Sequence, residues 1–205
     1  MAQKFTIPEN VTADDFFMNV LPREHARLTK QAPSPADAAN AVVGIKLEGD
    51  GGGEWTLDVR GADMEAKQGK PSDPDIWMRQ PISDWRDFMS DVSGSGEMVP
   101  AKAGAGPLVL TDSAVRMRLM SIRGSVKFEL TGFRGRDWWM VLGVRGGSPD
   151  DADATISMTT EDYKALVARQ IDPMSCYMQG KVRLGGNTNV AMQFGMALMP
   201  LFTGG

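Results

Sequence analysis

Side-chain polarity alternates along two stretches of the chain in a way that predicts β-strands. Every second residue is apolar at positions 43–47 and again at positions 55–59, and a glycine-rich turn at residues 50–53 separates the two stretches. A period of two with one polar face is typical of antiparallel strands that pack on one side. We therefore expect an antiparallel hairpin here, followed by a third strand at residues 75–78 and a helix from Ser83.

Helical spacing predicts a further element near the N-terminus. Thr12 precedes Asp15 by three residues, which is a helix N-cap signal, and an apolar stripe that begins at Phe16 follows it. Because proline lacks a backbone N–H donor, Pro22 is expected either to end or to kink this helix.

The last third of the chain predicts a short strand, two helical segments and a second strand. The first strand is expected at residues 156–158, and Thr159 or Thr160 can cap the helix that follows. A short helical turn is expected at residues 174–178. Residues 181–184 then alternate charged and apolar side chains, as a half-buried strand does.

A strongly apolar segment at residues 190–202 follows, and Gln193 is its one strongly polar side chain. A helix that is apolar on all sides is buried all round, crosses a membrane or covers an apolar ligand. Spanning a bilayer takes about 20 apolar residues, and this segment is shorter and is closed off by Pro200. A core helix and a helix that covers a ligand both remain open.

The order of elements in the first half of the chain returns in the second half. Residues 128–132 match residues 45–49, and without a gap Trp138 falls on Trp55. Such a recurrence predicts a diverged tandem duplication.

The duplication divides the chain into unit 1, residues 11–122, and unit 2, residues 123–205. Unit 1 contains a Gly/Ala/Ser-rich connector at residues 93–106, followed by a predicted strand at residues 108–110. Each unit alone would leave apolar surface in water, so we expect the two to share a core. The second strand of unit 2 has Trp138 on one face and Trp139 on the other, which predicts that it is covered on both faces.

Several motifs near the C-terminus resemble the signature of the sterol carrier protein 2 (SCP2) family. They are Asp172-Pro173, the run CYMQGKVRLGG at residues 176–186, and Ala191-Met192. The family pattern usually has Asn in place of Asp172, Ala in place of Cys176, and an aromatic residue in place of Met178. Further likenesses are the run TEDY at residues 160–163, which resembles the family's helix start, and residues 53–59, which resemble its second strand.

The resemblance implies an α+β fold with an antiparallel or mixed sheet covered by helices, here as two repeat units packed together. It also implies noncatalytic binding or transfer of an apolar lipid, fatty acyl or sterol-like, in a cavity closed by the C-terminal helix. The residues expected to line that cavity are Trp138, Tyr177, Met178, Met192, Phe194, Met196 and Met199.

The alternative is a structural or protein-interaction module of the same fold with a filled cavity. The chain has 15 Met, whose flexible side chains suit a cavity for varied apolar ligands and also fill ordinary cores. Methionine content therefore leaves both hypotheses open.

Charge and chemistry exclude several other classes of function. The net charge of −4 argues against a nucleic-acid partner, because such binding needs Lys and Arg to neutralise phosphates. His25 is the one histidine, and no second His or Cys completes a metal site with it. The glycine turn at residues 50–53 lacks the Gly-Lys-Ser/Thr of a phosphate loop. We therefore expect no enzyme activity, no cofactor and no metal.

Cysteine content predicts the compartment. Cys176 is the one cysteine and no basic-then-apolar leader opens the sequence, so a reducing cytoplasm is expected. Any contact with a membrane would be hydrophobic and transient.

Overall fold

The computed structural model describes residues 10–31, 40–93 and 113–202. The predicted connector beyond Ser93 and the predicted strand at residues 108–110 lie outside these ranges.

The described residues form one eight-stranded mixed sheet. Its strands are β1 (Ala41–Glu48), β2 (Gly53–Arg60), β3 (Asp63–Gln68), β4 (Ile76–Pro81), β5 (Gly124–Phe133), β6 (Arg136–Val144), β7 (Ala154–Thr159) and β8 (Arg183–Gly186). Across the sheet they follow the order β3-β2-β1-β4-β6-β5-β7-β8. The predicted α+β class with a mixed sheet and helices is therefore confirmed.

The helices of the described ranges are α1 (Ala13–Asp15), α2 (Leu21–Gln31), α3 (Ile82–Ser93), α4 (Ser113–Met120), α5 (Thr160–Val167), α6 (Pro173–Met178) and α7 (Thr188–Leu198). A π-helical stretch at Phe16–Val20 joins α1 to α2, and a 3-10 turn at Met199–Leu201 extends α7. The predicted cap is present, since Thr12 Oγ1 accepts a hydrogen bond from the Asp15 amide at 3.0 Å. Pro22 does not end the helical segment. The wider π-helical turn lies directly before it, and α2 continues to Gln31.

One face of the sheet carries the core of both units. Alternate residues of the strands on this face, such as Ile45, Trp55 and Leu142, join a single buried cluster with Phe16 from the N-terminal helical segment and Phe194 from α7. Because strand side chains alternate, each strand contributes every second residue to this face. Residues from both halves of the chain thus contribute to one buried cluster.

The opposite face of β6 is covered by charged side chains and a loop. Trp139 lies on this face, with the Arg79 guanidinium and the Lys127 ammonium each 5.4 Å from its ring centre. Arg79 Nη1 also donates to the carbonyl of Pro149 at 2.9 Å. The prediction that β6 is buried on both faces therefore holds for Val141, which is 3% exposed, and is wrong for Trp139, which cations cover without a second core.

The strand pairings of the two units correspond. β1 pairs antiparallel with β2 and parallel with β4, and β5 pairs antiparallel with β6 and parallel with β7. Ile45 is the residue opposite both Trp55 and Met78.

Leu130 is the residue opposite both Trp138 and Met158. The strand pairing therefore places Leu130 in the position of Ile45. The gapless sequence match instead places Phe128 there, two residues earlier. A register shift between Leu130 and Phe133, near the turn into β6, accompanies the difference.

Candidate apolar cavity

A half-open apolar cavity of about 450 Å³ lies between the helix-covered face of the sheet and the C-terminal helices. Side chains of five neighbouring strands form its floor and one wall: Met78 and Gln80, Trp138, Met140 and Leu142, Phe128, Glu129 and Leu130, Ile156 and Met158, and Leu184. Helices and their flanking segments supply the walls: Phe88, Tyr163, Leu166, Pro173, Met174, Tyr177, Val182, Ala191, Met192, Gly195, Met196, Leu198, Met199, Leu201 and Phe202. The volume falls within the range of small-molecule sites.

The floor follows from strand alternation. Phe128 faces Met140 across β5 and β6, and Leu130 faces Trp138. Residues two apart in a strand share a face, so both pairs point to the helix-covered side. This alternation in the sequence was the signal that could have identified Leu130 and Met140, which the sequence analysis did not name.

Trp138 forms the wall nearest unit 1. Its indole Nε1 donates to the carbonyl of Asp84 at 3.0 Å, and its ring centre lies 6.1 Å from that of Phe88 on α3. The indole N–H is therefore satisfied inside the protein, and the ring presents an apolar surface to the cavity.

A cluster of charges fixes α3 to β6 beside this wall. The Asp84 carboxylate is fully buried, accepts the Trp139 amide at 2.9 Å and forms an ion pair with Arg136. Arg136 Nη2 also reaches the carboxylate of Asp87 at 2.5 Å. The hydrogen bond that Arg136 donates to Asp84, together with Asp87, raises the pKa of Arg136, which stays charged. The cavity is thus built from both units.

Local caps position the helices that form the other walls. Thr159 Oγ1 accepts the Asp162 amide at 3.1 Å at the start of α5, and Asp172 accepts the Ser175 amide at 2.9 Å at the start of α6. Lys181 forms an ion pair with Asp162 and thereby joins the segment before β8 to α5. The hydrogen bond from Lys181 lowers the pKa of Asp162.

The cavity mouth, formed by Met174, Tyr177, Met192 and Met196, exposes apolar side chains of α6 and α7. Their exposed fractions are 59%, 45%, 49% and 56% respectively. Large apolar side chains gathered at the opening of an apolar cavity mark a surface suited to contact with an apolar ligand or membrane.

Five of the seven residues predicted from the sequence line the cavity: Trp138, Tyr177, Met192, Met196 and Met199. Met192, Met196 and Met199 are three or four residues apart, so they share one face of the C-terminal helix.

The prediction is wrong for Met178 and Phe194. Met178 follows Tyr177 at the end of α6, points away from the cavity and is 75% exposed. Phe194 lies two residues from Met192 in the helix, so it points to another side and is fully buried in the main core.

The cavity residues from unit 1, Met78, Gln80 and Phe88, carry no local signal of a cavity. They reach it because β4 pairs with β6, which places Met78 opposite Leu142. Nothing in the local sequence fixes that pairing.

Two further titratable groups lie near the cavity. Tyr163 lines it, and burial raises the pKa of its hydroxyl, which therefore stays protonated. Cys176 is fully buried in α6 and does not line the cavity; burial raises the pKa of its thiol as well.

Residues 10–31, 40–93 and 113–202 contain no group of three or more His, Cys, Asp or Glu side chains placed to hold a metal ion. No helix in these ranges is both long and apolar enough to cross a membrane.

These features define an α+β protein in which a sheet and its C-terminal helices border a half-open apolar cavity. Residues 108–199 match the SCP-2 sterol transfer family.

Curated relatives share part of this sequence. The chain is 28% identical to hydroxysteroid dehydrogenase-like protein 2 of Bos taurus over 105 residues, covering 46% of this chain and 25% of the relative. It is 25% identical to the protein of that name from Danio rerio over 181 residues, covering 77% of this chain and 43% of the relative. With sterol carrier protein 2 of Homo sapiens it shares 33% identity over 66 residues, covering 29% of this chain and 12% of that protein. The chain thus spans less than half the length of each of these relatives.

Solved structures of similar proteins include the apo form of sterol carrier protein 2 from Yarrowia lipolytica. It is 16% identical, with a TM-score of 0.31, and the match covers 57% of this chain and 96% of that chain. Sterol carrier protein 2 like 2 from Aedes aegypti is 20% identical, with a TM-score of 0.28, and the match covers 37% of this chain and 72% of that chain.

Proposed function

We propose that this protein binds or transfers an apolar lipid, fatty acyl or sterol-like, without catalysis, in the cavity that α7 helps to close. The observation that carries the proposal is the cavity of about 450 Å³ with an almost wholly apolar lining. The SCP2 match over residues 108–199 supports it.

The energetics of burial suit such a ligand. Each methylene removed from water contributes about 0.8 kcal/mol, so an acyl chain or sterol skeleton needs few polar contacts to bind. An open cavity lined by Met and aromatic side chains can adapt to the shape of such a ligand.

The cavity mouth gives the ligand a route to a lipid bilayer. Met174 and Met196 are more than half exposed there, and a bilayer would cover them. Contact with a membrane would then be hydrophobic and transient, as the sequence predicts. A cytoplasmic location stays a prediction from the single cysteine.

A structural or protein-interaction module with a filled cavity is the alternative function. It requires the lining side chains to pack without a void, whereas an unfilled volume lies between them. The names of some relatives refer to a hydroxysteroid dehydrogenase, and the absence of catalysis here is part of our proposal.

The tandem duplication into units 11–122 and 123–205 also remains a proposal. Its support is that β1 and β5 have the same two kinds of neighbour. β4 of unit 1 and β7 of unit 2 correspond, and each has an antiparallel neighbour: β6 lies beside β4, and β8 lies beside β7. β2 of unit 1 and β6 of unit 2 also correspond, and each has an antiparallel neighbour: β3 lies beside β2, and β4 lies beside β6. Each of β4 and β6 therefore takes the place of a strand found in the other unit.

Lipid extraction with mass spectrometry on the purified protein tests the proposed function. We expect a co-purified apolar lipid, and a lower melting temperature after the lipid is stripped, because a ligand that binds only the folded state stabilises it. Equal melting temperatures for stripped and lipid-loaded protein, together with no displacement of a fluorescent fatty-acid or sterol probe, would favour the interaction module.

A further inference from the structure

Gln80 is a polar residue buried in the wall of an otherwise apolar cavity. It lies on β4, lines the cavity and is 3% exposed. Among residues 10–31, 40–93 and 113–202, no side-chain hydrogen bond of Gln80 is present. An amide that faces a cavity without a protein partner can exchange its hydrogen bonds to water for hydrogen bonds to a ligand.

The orientation of Gln80 follows from the pairing of β4. Its backbone lies opposite Leu47 of β1, and Met78, two residues earlier on the same face, lies opposite Leu142 of β6. Residues two apart in a strand share a face, so the Gln80 amide points to the side on which Met78 and Leu142 line the cavity.

Two other polar groups at the cavity, the Trp138 indole and the Glu129 carboxylate, already have partners. The Trp138 indole N–H is bonded to the carbonyl of Asp84. Glu129 borders the cavity, but its carboxylate pairs with the Lys127 ammonium at 2.5 Å. Tyr163 keeps its proton because burial raises its pKa. The Gln80 amide thus remains free to bond a ligand.

We propose that Gln80 binds one uncharged hydroxyl or carbonyl group of the lipid. The inference rests on the proposed lipid binding and specifies the ligand class. An amide offers both a donor and an acceptor, so it can bond an alcohol, a ketone or an ester carbonyl.

The lining chemistry argues against a carboxylate at this position. No Lys, Arg or His is among the described residues that line the cavity. A buried carboxylate without a cation nearby is strongly unfavourable. The ligand is therefore a neutral lipid with one hydrogen-bonding group, rather than a fatty-acid anion with its head group inside.

The position of Gln80 also orients the ligand. β4 is separated from β7 and β8 by β6 and β5, whereas the cavity mouth is formed by α6 and α7, and α7 packs on β5, β7 and β8. The polar group therefore lies at the buried, unit 1 side of the cavity, and the apolar remainder extends toward Met192 and Met196.

Three ligands of equal chain length test the proposal: tetradecan-1-ol, tetradecane and tetradecanoate, each displacing Nile red from lipid-stripped protein. We expect the alcohol to bind about twofold to tenfold more tightly than the alkane, which corresponds to one net hydrogen bond. In Gln80→Leu the alcohol should lose this advantage. The melting temperature of the ligand-free variant should change little, since the substitution removes no hydrogen bond within the described residues.

Gln170→Leu is the matched control, because it makes the same change at an exposed glutamine that does not line the cavity. It should keep the preference for the alcohol. Gln80→Met provides a second, unbranched apolar replacement in case the leucine variant folds poorly, and it too should lose the preference.

Three results would overturn the proposal: retention of the alcohol preference in both Gln80 variants, equal binding of alcohol and alkane by the unaltered protein, or tighter binding of tetradecanoate than of the alcohol. In each of these cases lipid binding itself would stand. If none of the three ligands displaces Nile red and no lipid co-purifies, the proposed function fails and this inference fails with it.

Discussion

The indole Nε1 of Trp138 donates a hydrogen bond of 3.0 Å to the backbone carbonyl of Asp84, and this contact joins strand β6 of unit 2 to helix α3 of unit 1. The Asp84 carboxylate binds β6 a second time through the Trp139 amide, at 2.9 Å. Asp84 of unit 1 thereby binds both the Trp138 side chain, which forms a cavity wall, and the backbone of β6, which carries Trp138.

Replacing Asp84 should therefore destabilise the whole fold. Asp84→Ala removes a fully buried acceptor and leaves the Trp139 amide without its side-chain partner. We expect the free energy of unfolding to fall by about 1.5–3 kcal/mol, the range for hydrogen bonds to a charged group. Urea unfolding followed by tryptophan fluorescence measures it.

Asp87→Ala is the control for that experiment, because Asp87 binds the same Arg136 from a position with a 27% exposed side chain. A more exposed ion pair contributes about 1 kcal/mol or less. Equal losses for the two variants would show that the buried position of Asp84 is unimportant.

The Asp162–Lys181 ion pair should make stability depend on pH in the acid range. Lys181 lowers the pKa of Asp162 in the folded state below its unfolded value of about 3.9. The stabilisation is therefore fully present above the unfolded value and is lost as the pH falls through the folded pKa.

The matched measurement compares melting temperatures of the unaltered protein and Asp162→Asn across pH. The difference should be constant between about pH 5 and 8 and should shrink below about pH 4, once Asp162 is protonated in both states. A difference that stays unchanged down to about pH 2 would contradict this role of the ion pair.

A charge at the cavity mouth should weaken lipid binding with little effect on folding. Met192 lines the cavity and is 49% exposed, so Met192→Asp leaves the main core intact. A carboxylate next to a bound apolar chain should reduce affinity for a fluorescent lipid probe by about tenfold or more, equivalent to about 1.4 kcal/mol.

Met178→Asp introduces the same charge on α6 outside the cavity, where Met178 is 75% exposed. Its probe affinity should equal that of the unaltered protein. Similar losses for Met178→Asp and Met192→Asp would indicate a general charge effect and not a site at the mouth.

The C-terminal helix should prove to be a core element as well as a cavity wall. Phe194 is fully buried in the main cluster, and Ala191 and Leu201 join the same cluster. Phe194→Ala should lower the free energy of unfolding by about 3–5 kcal/mol, which is typical of a large aromatic residue removed from a core. Denaturant unfolding measures it.

Truncation at Asn187 extends the same test. Removing α7 and the following turn deletes Phe194 and Leu201 together, against a total stability of about 5–15 kcal/mol for a typical domain. The shortened chain should lack cooperative unfolding by circular dichroism. A truncated protein that unfolds cooperatively would show that the helix is a lid only.

The sequence by itself determined the local elements of this protein. Both hairpins, the Thr12 cap and the helix after Thr159 occur as predicted, because alternation and capping depend on residues close together in the chain. The C-terminal motifs were likewise sufficient to indicate the SCP2 family, which the match over residues 108–199 confirms.

Strand β3 was missed because its pattern is weak. Asp63–Gln68 is mostly charged and polar, and it becomes a strand by pairing with β2 at the edge of the sheet. An edge strand has one neighbour and tolerates polar residues, so its sequence carries little of the usual signal.

Only the tertiary structure decided how the two hairpins join and which residues meet in the cavity. The pairing of Ile76 with Val144 makes one sheet of both units and brings Gln80 and Phe88 to the wall that Trp138 forms. The same packing buries Phe194 in the core and leaves Met178 exposed to solvent, although both belong to apolar motifs. The physical reason is that alternation and helical spacing fix which side chains share a face. The partner of that face is chosen by contacts between residues far apart in sequence.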